Sequence, residues 1–330
     1  MSCDIRPTLL ATSDRDIMLR HVTKRLFVSI PVLFGVLFIG FMLMQVVPTD
    51  PATVLAGPTA SAADIEAIRE SMGLNEPVIV QFGIYLGRVL QGDLGRSMIS
   101  NSAVIDELAN TVGPTIELMA ASLIWAIPLG ILFGTLAAVR RGKISDRIIM
   151  AASVAGVSMP IFWFGLMLIQ YVGFKWQLLP FQGRAGPLWT LEGIRHIILP
   201  AITLGGVFIG PVARMTRTSL LEVLNSDFVR TARAKGVSER VIVLKHALRN
   251  SLIPVVTLVG LQIGFLLGGA VVTETMFAWP GVGRLAVGAI VSADYALSQG
   301  AILVLAVSFI AVNIIVDLLY AVLDPRLRTS

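Results

Sequence analysis

The sequence predicts an all-α polytopic membrane protein with six transmembrane helices. Of its 330 residues, 55% are apolar and only 14% are charged. Several runs of roughly 20 residues are almost free of charge, which is the length a helix needs to cross a bilayer core about 30 Å thick. This composition argues against a soluble protein of two domains, which the length alone would suggest.

The first predicted span, Leu26–Val47, follows an N-terminal tail formed by residues 1–25. The first 20 residues are polar and lack apolar periodicity, so we expect them to be disordered. The apolar run after the basic flank is too long for a signal peptide, and we therefore expect an uncleaved anchor.

A large polar insert, residues 48–110, separates the first two spans. Ser61 and Asp64 have capping-box spacing, which predicts a short helix that ends at Gly73. A second amphipathic helix is predicted over Pro77–Leu90, with an apolar stripe that we expect to face the membrane. That stripe consists of Phe82, Leu86 and Val89.

Five further spans are predicted in a transmembrane domain that covers residues 111–322, before a short tail at 323–330. They are Thr111–Val139, Ile148–Tyr171, His196–Met215, Leu252–Thr273 and Ser298–Val322. Pro160 is expected to interrupt the third span, because proline cannot donate the backbone hydrogen bond that a helix interior requires.

The positions of the basic residues predict which side of the membrane each loop occupies. If the N-terminus is inside, 19 of the 26 Lys and Arg residues lie on the cytoplasmic side and 7 lie outside. Basic residues near span ends favour the cytoplasm. We therefore expect cytoplasmic N- and C-termini, an outer insert and a cytoplasmic loop at residues 216–251.

The sequence lacks the motifs of common catalytic and cofactor sites. There is no G-x-x-x-x-G-K-[ST] motif for ATP phosphates and no G-x-S-x-G nucleophile turn. The three histidines are scattered, and the lone Cys3 cannot form an internal disulfide. We expect no catalytic residue, cofactor or metal in this chain, and no nucleic-acid partner, because basic residues in a membrane protein report topology first.

Three acidic residues, Glu117, Glu274 and Asp317, lie near predicted span ends. Ionisable groups in a membrane are candidate functional residues because burying them is costly. Their positions favour helix capping or snorkelling over proton transfer. Asn313 and Asp317 share a helix face and could bond to a neighbouring helix.

The fifth predicted span contains Gly260, Gly264 and Gly268, which form two overlapping G-x-x-x-G steps. Small residues on one face let another helix approach closely. The spacing is compatible with packing inside the chain, with contact to a second membrane subunit, or with a helix that lines a substrate path.

The cytoplasmic loop is strongly basic and predicts a short helix from Phe228 to Lys235. Asp227 is expected to cap its N-terminus, and Gly236 to end it in a conformation with positive φ. Small residues flanked by cations suit docking into a groove of another protein. Adsorption on anionic lipid is an equally compatible role for the loop.

The stretch RTARAKG…HALRNSLIP, Arg230 to Pro254, resembles the cytoplasmic signature loop of binding-protein-dependent ABC importer permeases. Arg230, Thr231 and Ala232 occupy the Glu-Ala-Ala positions of that motif, and Gly236 its glycine. The two departures are similar to the dipeptide/oligopeptide/nickel branch. The large insert with GDLGRS is similar to that of the first of the two permeases in this branch. Three other stretches also resemble the branch: LNEPVIVQFGIYLGRVLQGDLGRS, ETMFAWPGVGRL and DLLYAVLDPRLR.

The resemblance implies a non-enzymatic permease of a bacterial or archaeal inner membrane. Its loop would form a coupling helix that docks on a cytoplasmic ATPase. The implied docking core consists of Thr231, Ala232, Ala234 and Gly236, and the implied polar contacts are Glu222, Asp227, Arg230 and Lys235.

The implied partners are a second homologous permease, two P-loop ATPase subunits that bind ATP and Mg²⁺, and a periplasmic or lipid-anchored substrate-binding protein, all within membrane lipid. A short peptide is the favoured substrate. Nickel or another small solute remains the alternative within the family, and an ion-coupled secondary transporter is the alternative outside it. An intramembrane enzyme is disfavoured by the missing nucleophile and metal ligands.

Overall fold

The computed structural model describes residues 8–46, 50–57 and 59–323, and this part of the chain is almost entirely helical. The helices are α1 (Thr8–Val46), α2 (Pro51–Ala56), α3 (Ala62–Ser71), α4 (Val78–Leu90), α5 (Val104–Val139), α6 (Ile144–Ser158), α7 (Ile161–Leu168), α8 (Leu191–Leu224), α9 (Asp227–Ala234), α10 (Glu239–Val241), α11 (Leu248–Met276), α12 (Val282–Val291) and α13 (Tyr295–Leu323). Wide π-helical turns follow α7 at Ile169–Lys175 and precede α11 at Ile242–Ala247.

Within the described residues, five helices are long and apolar enough to cross a membrane, and the number rises to six if one bent pair of helices counts as a single span. The five belong to α1, α5, α8, the stretch that ends in α11, and α13. The predicted fold class, an all-α polytopic membrane protein, is confirmed.

The N-terminal tail differs from the prediction. Helix α1 begins at Thr8 and runs without a break into the first span, so the expected disorder is wrong over residues 8–20. Extending an existing helix adds one hydrogen bond per ordered residue without a new nucleation step, and this favours a longer helix. Residues 1–7 and 324–330, and Val47 at the predicted end of the first span, lie outside the described residues.

The third span is sharply bent where the sequence predicted an interruption. Helices α6 and α7 meet at an angle of 101°. Met159 is extended, with φ −85° and ψ 123°, and Pro160 begins the next helix. A residue before proline is pushed out of the α region, which explains the position of the bend.

The core of the bundle is the contact between α5 and α8, to which α11 adds a further layer. A Cβ placed on Gly130 would lie 2.7 Å from the side chain of Val212, and one on Gly134 would overlap the carbonyl oxygen of Ala213. Both glycines therefore allow a backbone approach that no larger residue permits. This G-x-x-x-G step lies in the second span, where the sequence analysis had not placed one.

The insert is anchored on the first span through α4. Phe82 is almost fully buried and meets the rings of Phe34 and Phe38 edge-on, with centroids 5.4 Å and 5.2 Å apart. Leu86 packs in the same cluster. The predicted membrane-facing stripe is therefore wrong for these residues, because the aromatic rings of α1 offer a closer apolar partner.

The predicted capping box at the start of α3 is confirmed. The Ser61 hydroxyl accepts from the Asp64 N–H at 3.2 Å, and the Ser61 N–H donates to the Asp64 carboxylate at 3.0 Å. The Ser61 side chain holds the pKa of the Asp64 carboxyl below its usual value. Gly73, with φ 70°, follows the end of α3 as expected.

The connector GDLGRS joins the insert to the start of α13. The Ser97 hydroxyl and the Met98 N–H donate to the buried carboxylate of Asp294, at 2.5 Å and 3.1 Å. The other oxygen of Asp294 accepts from the Leu297 N–H at 3.1 Å in the first turn of α13. One buried acid therefore holds two distant parts of the chain together.

Candidate docking surface

Helix α9 follows α8 in the chain and packs against the π-helical turn Ile242–Ala247. Its N-terminus differs from the prediction. Ser226 occupies the capping position and Asp227 is the first helical residue. Neither side chain caps the helix, because the Ser226 hydroxyl donates to the Val223 carbonyl and the Asp227 carboxylate lies 3.3 Å from Arg230.

The C-terminus of α9 ends as predicted. Gly236 has φ 78°, its N–H donates to the Arg233 carbonyl at 2.9 Å, and the Val237 N–H donates to the Ala232 carbonyl at 3.2 Å. This pair of bonds is a Schellman motif, which satisfies the last carbonyls of a helix and favours glycine at the left-handed position. Gly236 therefore sets the direction in which the chain leaves α9.

A single apolar side chain fixes α9 to the bundle. Val229 is fully buried on the side of α9 that faces the π-helical turn. Within that turn, Val243 and Ala247 pack against Leu220 of α8 and Ala138 of α5. The π-helical turn therefore lies between α9 and the two central helices. The sequence analysis had overlooked Val229, although it is the one β-branched apolar residue within the short basic helix.

The outward face of α9 combines small side chains with charges. Thr231, Ala234, Lys235 and Gly236 are exposed, whereas Ala232 is half-buried. The Arg230 side chain is 74% exposed beside Asp227, which is 94% exposed. Most of the predicted docking residues therefore share one accessible surface, and Ala232 lies at its edge.

Two further charged residues border this surface. The Arg233 guanidinium donates to the Glu239 carboxylate at 2.6 Å and 3.3 Å, which raises the pKa of Arg233 and ties α9 to α10. Glu222, predicted as a polar contact, is exposed in the last turn of α8 and makes no ion pair within the described part of the chain.

A charged pair behind the docking surface was missed by the sequence analysis. The Arg217 guanidinium binds the Asp146 carboxylate through two hydrogen bonds, at 2.6 Å and 2.8 Å. The same carboxylate accepts from the Gly142 N–H at 2.9 Å. Asp146 is the one acid within the basic stretch that follows the second span. Its position among basic residues could have indicated an ion pair.

The three predicted glycines of α11 have different surroundings. Gly260 and Gly264 are buried, and a Cβ on Gly264 would lie 3.2 Å from the Phe309 ring of α13. Gly268 is exposed, with open space where its Cβ would be. Gly264 therefore packs within the chain, whereas Gly268 leaves a small gap on the outer face of α11.

Two of the three acids near the span ends, Glu117 and Glu274, form hydrogen bonds with described residues. Glu117 forms two hydrogen bonds with Arg184, at 2.8 Å and 2.9 Å. Asn313 donates to the Phe309 carbonyl of its own helix at 2.9 Å, so this bond does not join α13 to a neighbouring helix. The side chain of Asp317 lies outside the described residues.

Glu274 is fully buried and caps a helix other than its own. Its carboxylate accepts from the Thr115 hydroxyl at 2.6 Å and from the N–H groups of Gly283 and Arg284, at 2.8 Å and 3.2 Å, in the first turn of α12. A carboxylate at a helix N-terminus satisfies unpaired N–H groups and matches the helix dipole. The expected capping role of this residue is confirmed, and snorkelling is not.

Two family models match the sequence. The model described as binding-protein-dependent transport system inner membrane component matches residues 130–329. The model for the N-terminal part of such membrane components matches residues 18–118.

Similar proteins cover nearly the whole chain. The chain is 45% identical over 311 residues to the glutathione transport system permease protein GsiC of Escherichia coli K12, which covers 94% of this chain and 99% of that protein. The GsiC proteins of Escherichia coli O6:H1 and Shigella boydii serotype 4 are 45% and 44% identical over the same shares of both chains.

Proposed function

The chain belongs to the family of binding-protein-dependent transport system inner membrane components, and on that premise we propose that α9 couples it to a partner ATPase during import of a short peptide. The family predicted from the sequence is confirmed. The protein is a multi-pass permease subunit of an ABC importer in the inner membrane and has no catalytic role of its own. Family membership favours this function over an ion-coupled carrier.

The observation that carries the coupling proposal is the two-sided structure of α9. Val229 is buried and holds one side of α9 against the bundle. Three small residues, Thr231, Ala234 and Gly236, are exposed to solvent. Small residues allow close approach of another protein, and Arg230 and Lys235 supply charge at the rim. ATP and Mg²⁺ would be held by the partner ATPases, because the chain lacks a P-loop motif.

The proposed orientation follows from the basic residues and the positions of the two ends. The docking surface lies in the loop between α8 and α11, which the basic residues predict to be cytoplasmic. The insert would then face outward. This arrangement allows an ATPase to bind at one end of the bundle and a substrate-binding protein to approach the insert at the other.

A family of this kind works with a partner permease, ATPases and a binding protein. We propose that this chain pairs with a homologous second permease and that the pair binds two ATPase subunits. The substrate class, a short peptide, is supported by the similarity to permeases named for glutathione transport. Glutathione is itself a tripeptide-like solute, and the binding protein would select among such solutes.

The test is purification of the tagged chain in mild detergent, followed by mass spectrometry and reconstitution into liposomes. We expect a P-loop ATPase and a homologous permease to co-purify, and we expect peptide uptake that requires ATP and the binding protein. A stable chain that purifies alone, or uptake that persists without ATP but collapses with the proton gradient, would contradict the proposal.

A further inference from the structure

A cleft of about 480 Å³, lined by both charged and apolar residues, opens between α1, the insert and the start of α13. Its size is within the range of roughly 300–1,000 Å³ typical of small-molecule sites. It lies beside the insert, and its lining residues are distant in sequence from those of the docking surface. Neither the coupling mechanism nor the helix packing described above accounts for it.

The cleft contains two cations and two anions, Arg69, Arg88, Asp50 and Asp93. Arg69 is bound to Asp50 through one terminal nitrogen at 2.6 Å. Asp93 accepts from the Gly95 N–H through one oxygen at 2.9 Å. The charges are therefore balanced in number but only partly paired with each other.

Of the two arginines, Arg88 has donor groups available to a ligand. Arg69 is held by Asp50, and its Nε is shielded from solvent and lies 3.8 Å from the Glu66 carboxylate. Arg88 is exposed and forms no ion pair with any described residue. A carboxylate in the cleft would form strong, charge-assisted bonds with the exposed guanidinium of Arg88.

The remaining walls suit a peptide of variable sequence. Met44, Met72 and Met98 provide flexible apolar surface that adapts to different side chains. Burial raises the pKa of Tyr85 to about 12, so its phenol remains a neutral hydroxyl at physiological pH. The Gln299 amide forms no hydrogen bond with the described residues and faces a cleft in which peptide groups would need partners.

We propose that this cleft binds a short peptide with free termini, with its carboxylate on Arg88 and its ammonium group near Asp93. The inference rests on the proposed import of peptides and adds a binding site on the permease itself. A zwitterion matches the balanced charges of the cleft, whereas a simple anion or cation would leave one pair unmatched.

The test is equilibrium binding of radiolabelled trialanine and of trialanine amide to the purified permease complex in lipid nanodiscs, without ATP and without the binding protein. Arg88→Gln should weaken trialanine binding about tenfold, the effect of losing one charge-assisted contact. The same substitution should change binding of the amide less than about twofold, because the amide lacks the carboxylate. Arg195→Gln, at an exposed arginine outside the cleft, should change neither.

A second variant tests the other end of the ligand. Asp93→Asn should weaken trialanine more than N-acetyl-trialanine, which has no ammonium group. Absence of saturable trialanine binding to the unaltered complex, or equal losses for trialanine and its amide in Arg88→Gln, would overturn the proposal. So would a loss of binding-protein association in Arg88→Gln with peptide binding unchanged, since the cleft would then be a protein contact.

The binding experiment and the import experiment can fail independently of each other. Binding is measured without ATP, whereas import is measured as ATP-driven uptake by the same complex. Uptake with no binding in the cleft would refute the cleft site alone. Binding in the cleft with no ATP-driven uptake would refute the importer function and leave the site in place.

Discussion

Arg217 and Asp146 form a two-point ion pair between α8 and the first turn of α6, with the Asp146 side chain only 5% exposed and that of Arg217 25% exposed. Asp146 also accepts from the Gly142 N–H, so the pair fixes the loop between α5 and α6. Arg217 lies two turns before the end of α8, after which α9 begins. The contact joins this part of α8 to the bent pair of helices α6 and α7.

Arg217→Gln should destabilise the protein by about 2 kcal/mol. Breaking a buried pair leaves an unpaired charge and typically costs about 3–5 kcal/mol, and the partial exposure of Arg217 lowers this figure. The double variant Asp146→Asn/Arg217→Gln should recover part of the loss, because no charge is left unpaired. Thermal unfolding in detergent measures both. The control is Arg147→Gln, at an exposed arginine of the same turn. If the stability losses of the two single variants simply added in the double variant, the pairing would be contradicted.

Gly236→Pro should abolish coupling while the protein remains inserted. Proline fixes φ near −65° and lacks the N–H that donates to Arg233, whereas Gly236 has φ 78°. Gly236→Asn should retain most coupling, because asparagine tolerates the left-handed region. Peptide-stimulated ATPase activity of the complex is the measurement. Normal stimulation in Gly236→Pro would show that the direction of the chain after α9 does not matter for coupling.

Glu274→Ala should lower stability by about 3 kcal/mol, because it leaves the Thr115 hydroxyl and two N–H groups of α12 without their acceptor. Thr115→Val should cost about 2 kcal/mol, since it removes the hydroxyl that donates to Glu274 and leaves the Val282 N–H without its acceptor. Unfolding midpoints of the purified protein report both. The control is Glu70→Ala, at an exposed acid of α3, and a similar loss there would refute the capping role.

Phe82→Ala should release α4 from the first span. The substitution removes the ring that contacts Phe34 and Phe38, at a typical cost of about 3 kcal/mol for a buried phenylalanine. Hydrogen exchange should become faster across residues 78–90. Ile79→Ala removes a side chain that is 68% exposed and should leave exchange unchanged. Equal protection in both variants would mean that the aromatic cluster does not hold the insert.

Features that depend on neighbours in the chain were predictable from the sequence. Apolar runs located the spans, Pro160 located the bend, and the spacing of Ser61 and Asp64 predicted a capping box that forms. The capping residue of α9 was misplaced by one position, because Ser226 and Asp227 are both residue types that favour that position. Local preference could not decide between them.

Features that depend on residues far apart were not predictable in the same way. Glu274 caps α12 only because the chain reverses after α11 and brings Thr115 of another helix beside it. The G-x-x-x-G step at Gly130 and Gly134 was as visible as the one in α11, but the sequence does not state which helix faces it. The structure places most of the predicted docking residues on one surface. The role of Val229 as their anchor could not be predicted, because it depends on how α9 packs against the rest of the chain.

The contact between α1 and α13 has a consequence for biosynthesis. Gly40 lies against Ile302, where a Cβ would come within 3.1 Å, so α1 packs against a helix that is synthesised much later. During translation α1 must stay in the membrane with this face uncovered until α13 has been made. A chain that stops before α13 would therefore leave its first span without its main helical neighbour, which would expose it to quality-control proteases.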